Sequence, residues 1–229
     1  MQINKIFSSI EGVGRHVGYL TTYVRTFSCN LNCLTCKEEY CVNPTSDEDL
    51  TGFTVMTIDD ILDECADYGN NHITLCGGEP LIQKDAPELV AALLDEGYFV
   101  NIETQGAVDL DTFENKMVDI LQDDELLNNL TYTVDYKCPS TGMDERMITD
   151  NFTFLVDSDV LTFVVDTEAD LDYMVETLEE YTPQAEVYVL PRTMDSKAIV
   201  DYMKANNLQN VRIQLSLQKV IYGEDMRED

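Results

Sequence analysis

Cys29-Asn30-Leu31-Asn32-Cys33-Leu34-Thr35-Cys36 is the stretch that decides how the chain is read. Three cysteines fall at the spacing C-x3-C-x2-C, directly after a strand-like run, Tyr19-Leu20-Thr21-Thr22-Tyr23-Val24-Arg25-Thr26-Phe27. The spacing gathers three sulfurs in one short loop. Three thiolates hold three corners of a four-iron cluster and leave the fourth iron open to a substrate. Other readings compete. A disulfide scaffold fits poorly with seven cysteines, an odd number. Zinc wants four ligands, and Cys41 stands near enough in sequence to be the fourth. Ordinary burial is a third reading, but cysteines interleaved with Asn30 and Asn32 make a poor core pattern.

The 229 residues suit one domain, residues 1–229, with a sizeable core. An apolar content of 44% fits a soluble globular chain. No run reaches the length of a membrane span, and the first six residues lack a secretory apolar core. The expected location is the cytoplasm, where thiols stay reduced. The formal net charge is −30, from 44 acidic and 14 basic side chains. That balance repels nucleic-acid phosphates and anionic lipid, so the expected partner is a small molecule.

Outward from the cysteines, polar clusters recur where strands end. Residues 7–18 hold three glycines and two serines and read as a loop. Residues 37–55 are irregular and acidic, with turn signals at Asn43-Pro44 and Ser46-Asp47. Thr57 caps a helix that runs to Tyr68 and stops at Gly69. Residues 72–76 form a buried strand leading into Gly77-Gly78-Glu79-Pro80, where an exposed glutamate beside two glycines suits a ligand ammonium. Helices are expected over 86–94, 111–130 (broken near Gln122), 168–181 and 196–206. Strands are expected over 98–102, 131–136, 160–165, 186–190 and 211–217. Strand and helix alternate throughout, which predicts parallel strands with outer helices and a ligand face at the strands' carboxyl ends. Six to seven strands are too few for a closed eight-unit barrel. The fold class is therefore α/β, a partial open (βα)6-type barrel.

The cysteine triplet and Gly77-Gly78-Glu79-Pro80, in that order, resemble the radical S-adenosylmethionine (SAM) superfamily. The resemblance implies that Cys29, Cys33 and Cys36 ligate a 4Fe-4S cluster. It implies that SAM chelates the fourth iron, and that cleavage of SAM yields a 5′-deoxyadenosyl radical that takes hydrogen from the substrate. Glu103-Thr104-Gln105-Gly106, then Asp135-Tyr136-Lys137-Cys138-Pro139-Ser140-Thr141-Gly142-Met143, then Val211-Arg212-Ile213-Gln214-Leu215 with Lys219, resemble the 7-carboxy-7-deazaguanine synthase family. That family converts 6-carboxy-5,6,7,8-tetrahydropterin to 7-carboxy-7-deazaguanine with loss of ammonia, for queuosine-type bases, and uses Mg2+. The resemblance implies SAM contacts at Thr35, Gly77, Gly78, Glu79, Glu103, Asp135, Tyr136, Lys137, Leu190 and Pro191. It implies substrate contacts at Ile10, Glu11, Gly12, Arg25 and Cys76. It also implies a homodimer and a flavodoxin- or ferredoxin-like reductant.

Three departures fall on the substrate side. The family reads Gln-Gly-Glu-Gly where this chain has Glu11-Gly12-Val13-Gly14. It has Asp then Thr or Ser where this chain has Lys37 and Glu38, and His where this chain has Gln218. A carboxylate is a good hard ligand, so Glu38 takes the Mg2+ role, or Lys37 stands in as a fixed positive charge. Cys65 and Cys138 are expected to be buried, with His16 and His72 as loop and structural residues. Two rival functions share some of these features. A glycyl-radical activase, of the anaerobic ribonucleotide reductase activating kind, shares the cysteine spacing but would dock a large protein. A zinc module with no catalysis leaves Gly77 to Pro80 unexplained.

Overall fold

The computed structural model describes residues 1–36, 38, 51–121 and 123–223. Lys37, Cys41, the turns at Asn43-Pro44 and Ser46-Asp47, and the helix break at Gln122 lie outside the described residues. The chain opens with a strand where residues 7–18 read as a loop. That strand is β1, Gln2–Ile10. A register shift between Ile3 and Lys5 moves the buried side chains from Ile3 to Ile6 and Phe7 and spoils the alternation that marks a strand. β1 pairs antiparallel with β2, Leu20–Thr26, with Phe7 opposite Tyr23. A two-residue strand β3, Thr54–Val55, adds to the outer side of β1.

From β2 onward every neighbour is parallel, as expected. The order is β3-β1-β2-β4-β5-β6-β7-β8-β9. The strands are β4 (His72–Gly77), β5 (Phe99–Gln105), β6 (Leu130–Tyr136), β7 (Val160–Val165), β8 (Glu186–Pro191) and β9 (Val211–Ile213). The helices between them are α1 (Ile58–Tyr68), α2 (Ala86–Asp95), α3 (Leu110–Val118), α4 (Asn151–Phe154), α5 (Glu168–Glu180) and α6 (Ser196–Ala205). β3 and β9 stay at opposite edges, so the sheet is open. It nonetheless curls. Gly14, in the β1–β2 connection, exchanges hydrogen bonds with the Gln214 side chain just past β9, at 2.8 and 3.0 Å.

Two expected elements end early. The helix over 111–130 is α3 followed by a separate 3-10 turn, Asp124–Asn129, which Asp123 caps through Glu125 N. The strand over 211–217 stops at Ile213. Ser216 then caps α7, Leu217–Tyr222, and Leu217 N bonds Gly12 O at 2.9 Å. In both cases a local capping side chain overrides the periodic pattern around it.

The two faces of the sheet differ in chemistry. Val24, Ile73, Leu75, Ile102, Val134, Phe163 and Val189 point outward into one apolar core with Ile61, Leu89, Leu110, Met117, Leu171 and Ile199 of the helices. Cys65 and Cys138 join that core. His72 stacks on Phe99 at 5.1 Å, and His16 lies 5.3 Å from it, at the strands' amino ends. The inward face carries Tyr23, Thr74, Asn101, Glu103, Thr133, Asp135 and Thr162. A polar lining inside an apolar shell leaves the barrel interior for a ligand.

The helix signals at Thr57 held in detail. Asp60 N donates to Thr57 Oγ1 at 3.2 Å and Thr57 N to Asp60 Oδ2 at 3.0 Å, closing a capping box, and Gly69 ends α1 at φ +67°. Thr57→Ala removes one half of that exchange. It is expected to lower the unfolding free energy by about 1 kcal/mol in urea titration with an unchanged slope.

Candidate active site

The carboxyl ends of the parallel strands surround a cavity of about 710 Å³, within the range of small-molecule sites. Cys29, Cys33 and Cys36 all lie on its wall. They sit in the loop that leaves β2 through Ser28, a non-glycine residue at φ +79°. Other strand ends hold this loop. Leu34 N bonds Thr141 O at 2.9 Å, Arg192 Nη1 bonds Thr35 O at 2.8 Å, and Gln105 Nε2 bonds Asn30 Oδ1 at 2.7 Å. Arg192 is anchored in turn on Asp166, its Nε donating to Oδ1 at 3.1 Å. Arg192 and Thr162 line the cavity but carry no sequence motif, so the sequence reading missed them.

Gly77 and Gly78 bring the end of β4 against the backbone leaving β2. Gly77 has φ +124°, and a Cβ there would lie 2.3 Å from Thr26 O. A Cβ on Gly78 would lie 1.9 Å from Ser28 O. No side chain fits in either place. Glu79 was expected at the surface, and the structure buries it instead. Its carboxylate accepts from Leu81 N at 3.0 Å, Gln105 N at 3.0 Å and Thr104 Oγ1 at 2.8 Å, tying the turn after β4 to the end of β5. Burial pushes its carboxyl up to about 7, against those three donors.

The other expected residues divide by position. Thr35, Glu103, Asp135, Lys137 and Leu190 line the cavity with Gly77 and Gly78. Pro191 closes β8 between the lining residues Leu190 and Arg192. The Tyr136 side chain points outward, among Phe152, Phe163 and Tyr173. Glu38 is exposed and also lines the cavity. Glu11 is buried on the inward face, reached through Tyr23 and Thr74. Arg25 and Cys76 are cross-strand partners there, and the Arg25 guanidinium lies over the Phe7 ring at 4.6 Å. Ile10 O accepts from Gln218 Nε2 at 3.0 Å, and Gly12 packs against that side chain.

The donor set suits an iron–sulfur cluster with a polar cosubstrate. Among the described residues no three His, Cys, Asp or Glu side chains gather as one metal ion requires. The three thiols line one cavity, and a cluster takes one sulfur per iron. Lys137 favours the thiolates of Cys29 and Cys33 against the burial that pushes both up. Asp135 Oδ2 holds Lys137 Nζ at 2.5 Å, while Asp135 Oδ1 and Thr162 Oγ1 are buried with no hydrogen-bond partner among the described residues. Both residues line the cavity, and such atoms call for a polar ligand.

The radical SAM superfamily model matches residues 23–135. The chain is 35% identical to the 7-carboxy-7-deazaguanine synthase of Clostridium acetobutylicum over 226 residues, 96% of each chain. It is 32% identical to that of Methanospirillum hungatei over 96% of this chain and 85% of the other. The chain belongs to the 7-carboxy-7-deazaguanine synthase family. Its fold also matches a crystal structure of QueE from Escherichia coli, with a TM-score of 0.72 at 18% identity over 94% and 93% of the two chains. It is thus a radical SAM enzyme with a 4Fe-4S cluster and SAM as cofactors. The activase and zinc-module readings have no such full-length counterparts among these relatives.

Glu79 makes stability depend on pH in a definite direction. Its folded-state value of about 7 lies above the ordinary 4.5, so it stabilises the fold most when protonated. That stabilisation is full below pH 4.5 and is lost as the pH rises through 7. The loss from this group is up to about 3 kcal/mol in the cofactor-free protein. Urea midpoints measured across that interval are expected to fall less steeply in Glu79→Gln than in the wild type.

Proposed function

We propose that the protein converts 6-carboxy-5,6,7,8-tetrahydropterin to 7-carboxy-7-deazaguanine with loss of ammonia. Near-full-length identity to enzymes of that name supports this reading. So does a cavity with three cysteines on one wall and a polar, charged inward face. Cys29, Cys33 and Cys36 would hold the cluster. The cluster with SAM supplies the radical that abstracts substrate hydrogen. The tight Gly77-Gly78 contact sets the ledge beside that wall, and Asp135 and Thr162 offer the unpartnered polar atoms that a cosubstrate would fill. Arg25 supplies positive charge on the inward face for the pterin carboxylate.

Glu38, exposed at the cavity, would ligate Mg2+. The electron donor would be a flavodoxin- or ferredoxin-like protein, in the cytoplasm. No helix among the described residues is long and apolar enough to cross a membrane. Leu215, Val220, Ile221 and Tyr222 expose apolar surface near the end of a strongly acidic chain. A homodimer would cover that surface.

The decisive experiment is anaerobic reconstitution, chemical reduction and incubation with SAM, Mg2+ and the pterin. The expected result is 5′-deoxyadenosine together with a deazapurine, lost in Cys33→Ala. SAM cleavage without a deazapurine would instead assign the protein another substrate. Glu38→Gln is expected to raise the Mg2+ concentration needed for half-maximal rate by about tenfold, the weight of one ligand contact of roughly 1.4 kcal/mol.

A further inference from the structure

Glu11, just past β1, is buried where the β1–β2 connection meets β2 and β4. Its Oε1 accepts from Tyr23 Oη at 2.7 Å and from Gly12 N at 3.1 Å. A carbonyl oxygen takes two such donors on its two lone pairs. The other side of the carboxyl meets a row of hydroxyls. Glu11 Oε2 is in hydrogen-bond contact with Thr74 Oγ1, Thr74 Oγ1 with Thr21 Oγ1 at 3.0 Å, and Thr21 Oγ1 with the carbonyl oxygen of His72 at 3.0 Å. Three contacts in a row need three protons. The two threonine hydroxyls supply two, and the His72 carbonyl supplies none. The Thr21 proton goes to His72 O, which can only accept. The Thr74 proton then goes to Thr21, and the third proton is on Glu11 Oε2.

The surroundings favour the neutral form. The titratable and charged groups of this corner are Tyr23 and Arg25 of β2, Cys76 of β4 and Glu103 of β5. Three of the four are acids, and Arg25 acts on Cys76 and Glu103. From α7 comes the neutral Gln218, whose Nε2 reaches Tyr23 Oη and Ile10 O, each at 3.0 Å. A charge on Glu11 would sit among other acids and out of water, which is costly. Burial is the largest influence on the Glu11 carboxyl and pushes it above its ordinary range.

We propose that Glu11 works as a neutral acid and is a positioning residue for the cavity wall that follows it: its proton holds β4 through Thr74, and its carbonyl oxygen holds Tyr23 and the Gly12 amide. Residues 12–14 run from this anchor to residues beyond β9. Gly12 O accepts from Leu217 N at 2.9 Å, and Gly14 exchanges hydrogen bonds with the Gln214 side chain. Val13, between them, lines the cavity. The proton on Glu11 therefore ties the strap that bridges the open sheet to the sheet's own floor. A glutamine, the residue the family reads at this position, offers the same acceptor oxygen and the same donor. The departure at residue 11 thus keeps both contacts, on condition that the acid stays protonated. An ionised Glu11 would leave one of the three hydroxyl-row contacts without a proton.

Infrared difference spectra of the reconstituted protein at neutral pH, wild type minus Glu11→Gln, test the proton. The expected difference is the C=O stretch of a protonated carboxyl, shifted in heavy water. The same band is expected when Glu11→Gln is made in a Glu103→Gln background and subtracted from that background, which keeps the neighbouring acid from contributing. Carboxylate stretches in place of the band, in either pair, overturn the proposal. Stability against pH gives the second readout. Above the ordinary carboxylate value of 4.5 the folded chain keeps this proton and the unfolded chain does not. The stabilisation is full below 4.5 and is lost as the pH rises towards the folded value. Urea midpoints of the reconstituted wild type and Glu11→Gln, measured without oxygen from about pH 5 to about pH 8, should therefore diverge in favour of Glu11→Gln. A gap that stays constant across that interval overturns the proposal.

Discussion

The close backbone contact between the end of β4 and the segment leaving β2 is the constraint on which the rest of the site depends. Gly78 N bonds Thr26 O at 3.2 Å and Glu79 N bonds Ser28 O at 2.8 Å, at a separation that admits no Cβ. This contact fixes where the cysteine loop starts. From there Asn30, Leu34 and Thr35 are caught by β5, the loop after β6, and Arg192 beyond β8. A loop of eight residues with three cysteines has little apolar surface of its own to pack. It takes its shape from strand ends that the outer core holds in place.

The buried Glu79 carries the same logic one layer deeper. Its carboxylate spends all its contacts on the chain itself, two of them backbone amides. The turn after β4 and the end of β5 therefore move as one piece. The cavity wall is built from such cross-links between successive strand ends, and Asp170 repeats the device. Buried in the first turn of α5, it accepts from Ser140 N and Asp166 N, each at 2.9 Å, and ties the loops after β6 and β7 together. Acids used in this way behave as structural staples. They differ in kind from the exposed acids that give the chain its net charge of −30.

Much of the fold was legible because it is written in local signals. The capping Thr57, the αL glycine at 69, and the alternation of apolar runs and polar clusters place α1, α5 and β4 to within a residue or two. β1 was not legible, because its bulge breaks the period of two and its serines look like loop. The short β9 and α7 were misjudged for the opposite reason. Apolar and polar residues alternate unbroken from Val211 to Leu217, and only Ser216 and the contacts of residues 214–218 with Gly12, Gly14 and Tyr23 decide where one ends and the other begins.

The sequence by itself determined the alternating strands and helices, the three sulfurs in one loop, and the family, because spacing and turn chemistry act over a few residues. Which acids are staples and which face the cavity was decided only by the tertiary structure. Glu79 and Glu103 both come where an apolar strand run gives way to polar residues, and they look alike in sequence. One points into a cage of amides and the other onto the cavity wall, and that difference depends on strand register and on how far the open sheet curls. The same holds for Arg192 and Thr162, ordinary residues in sequence that long-range pairing brings opposite the cysteines.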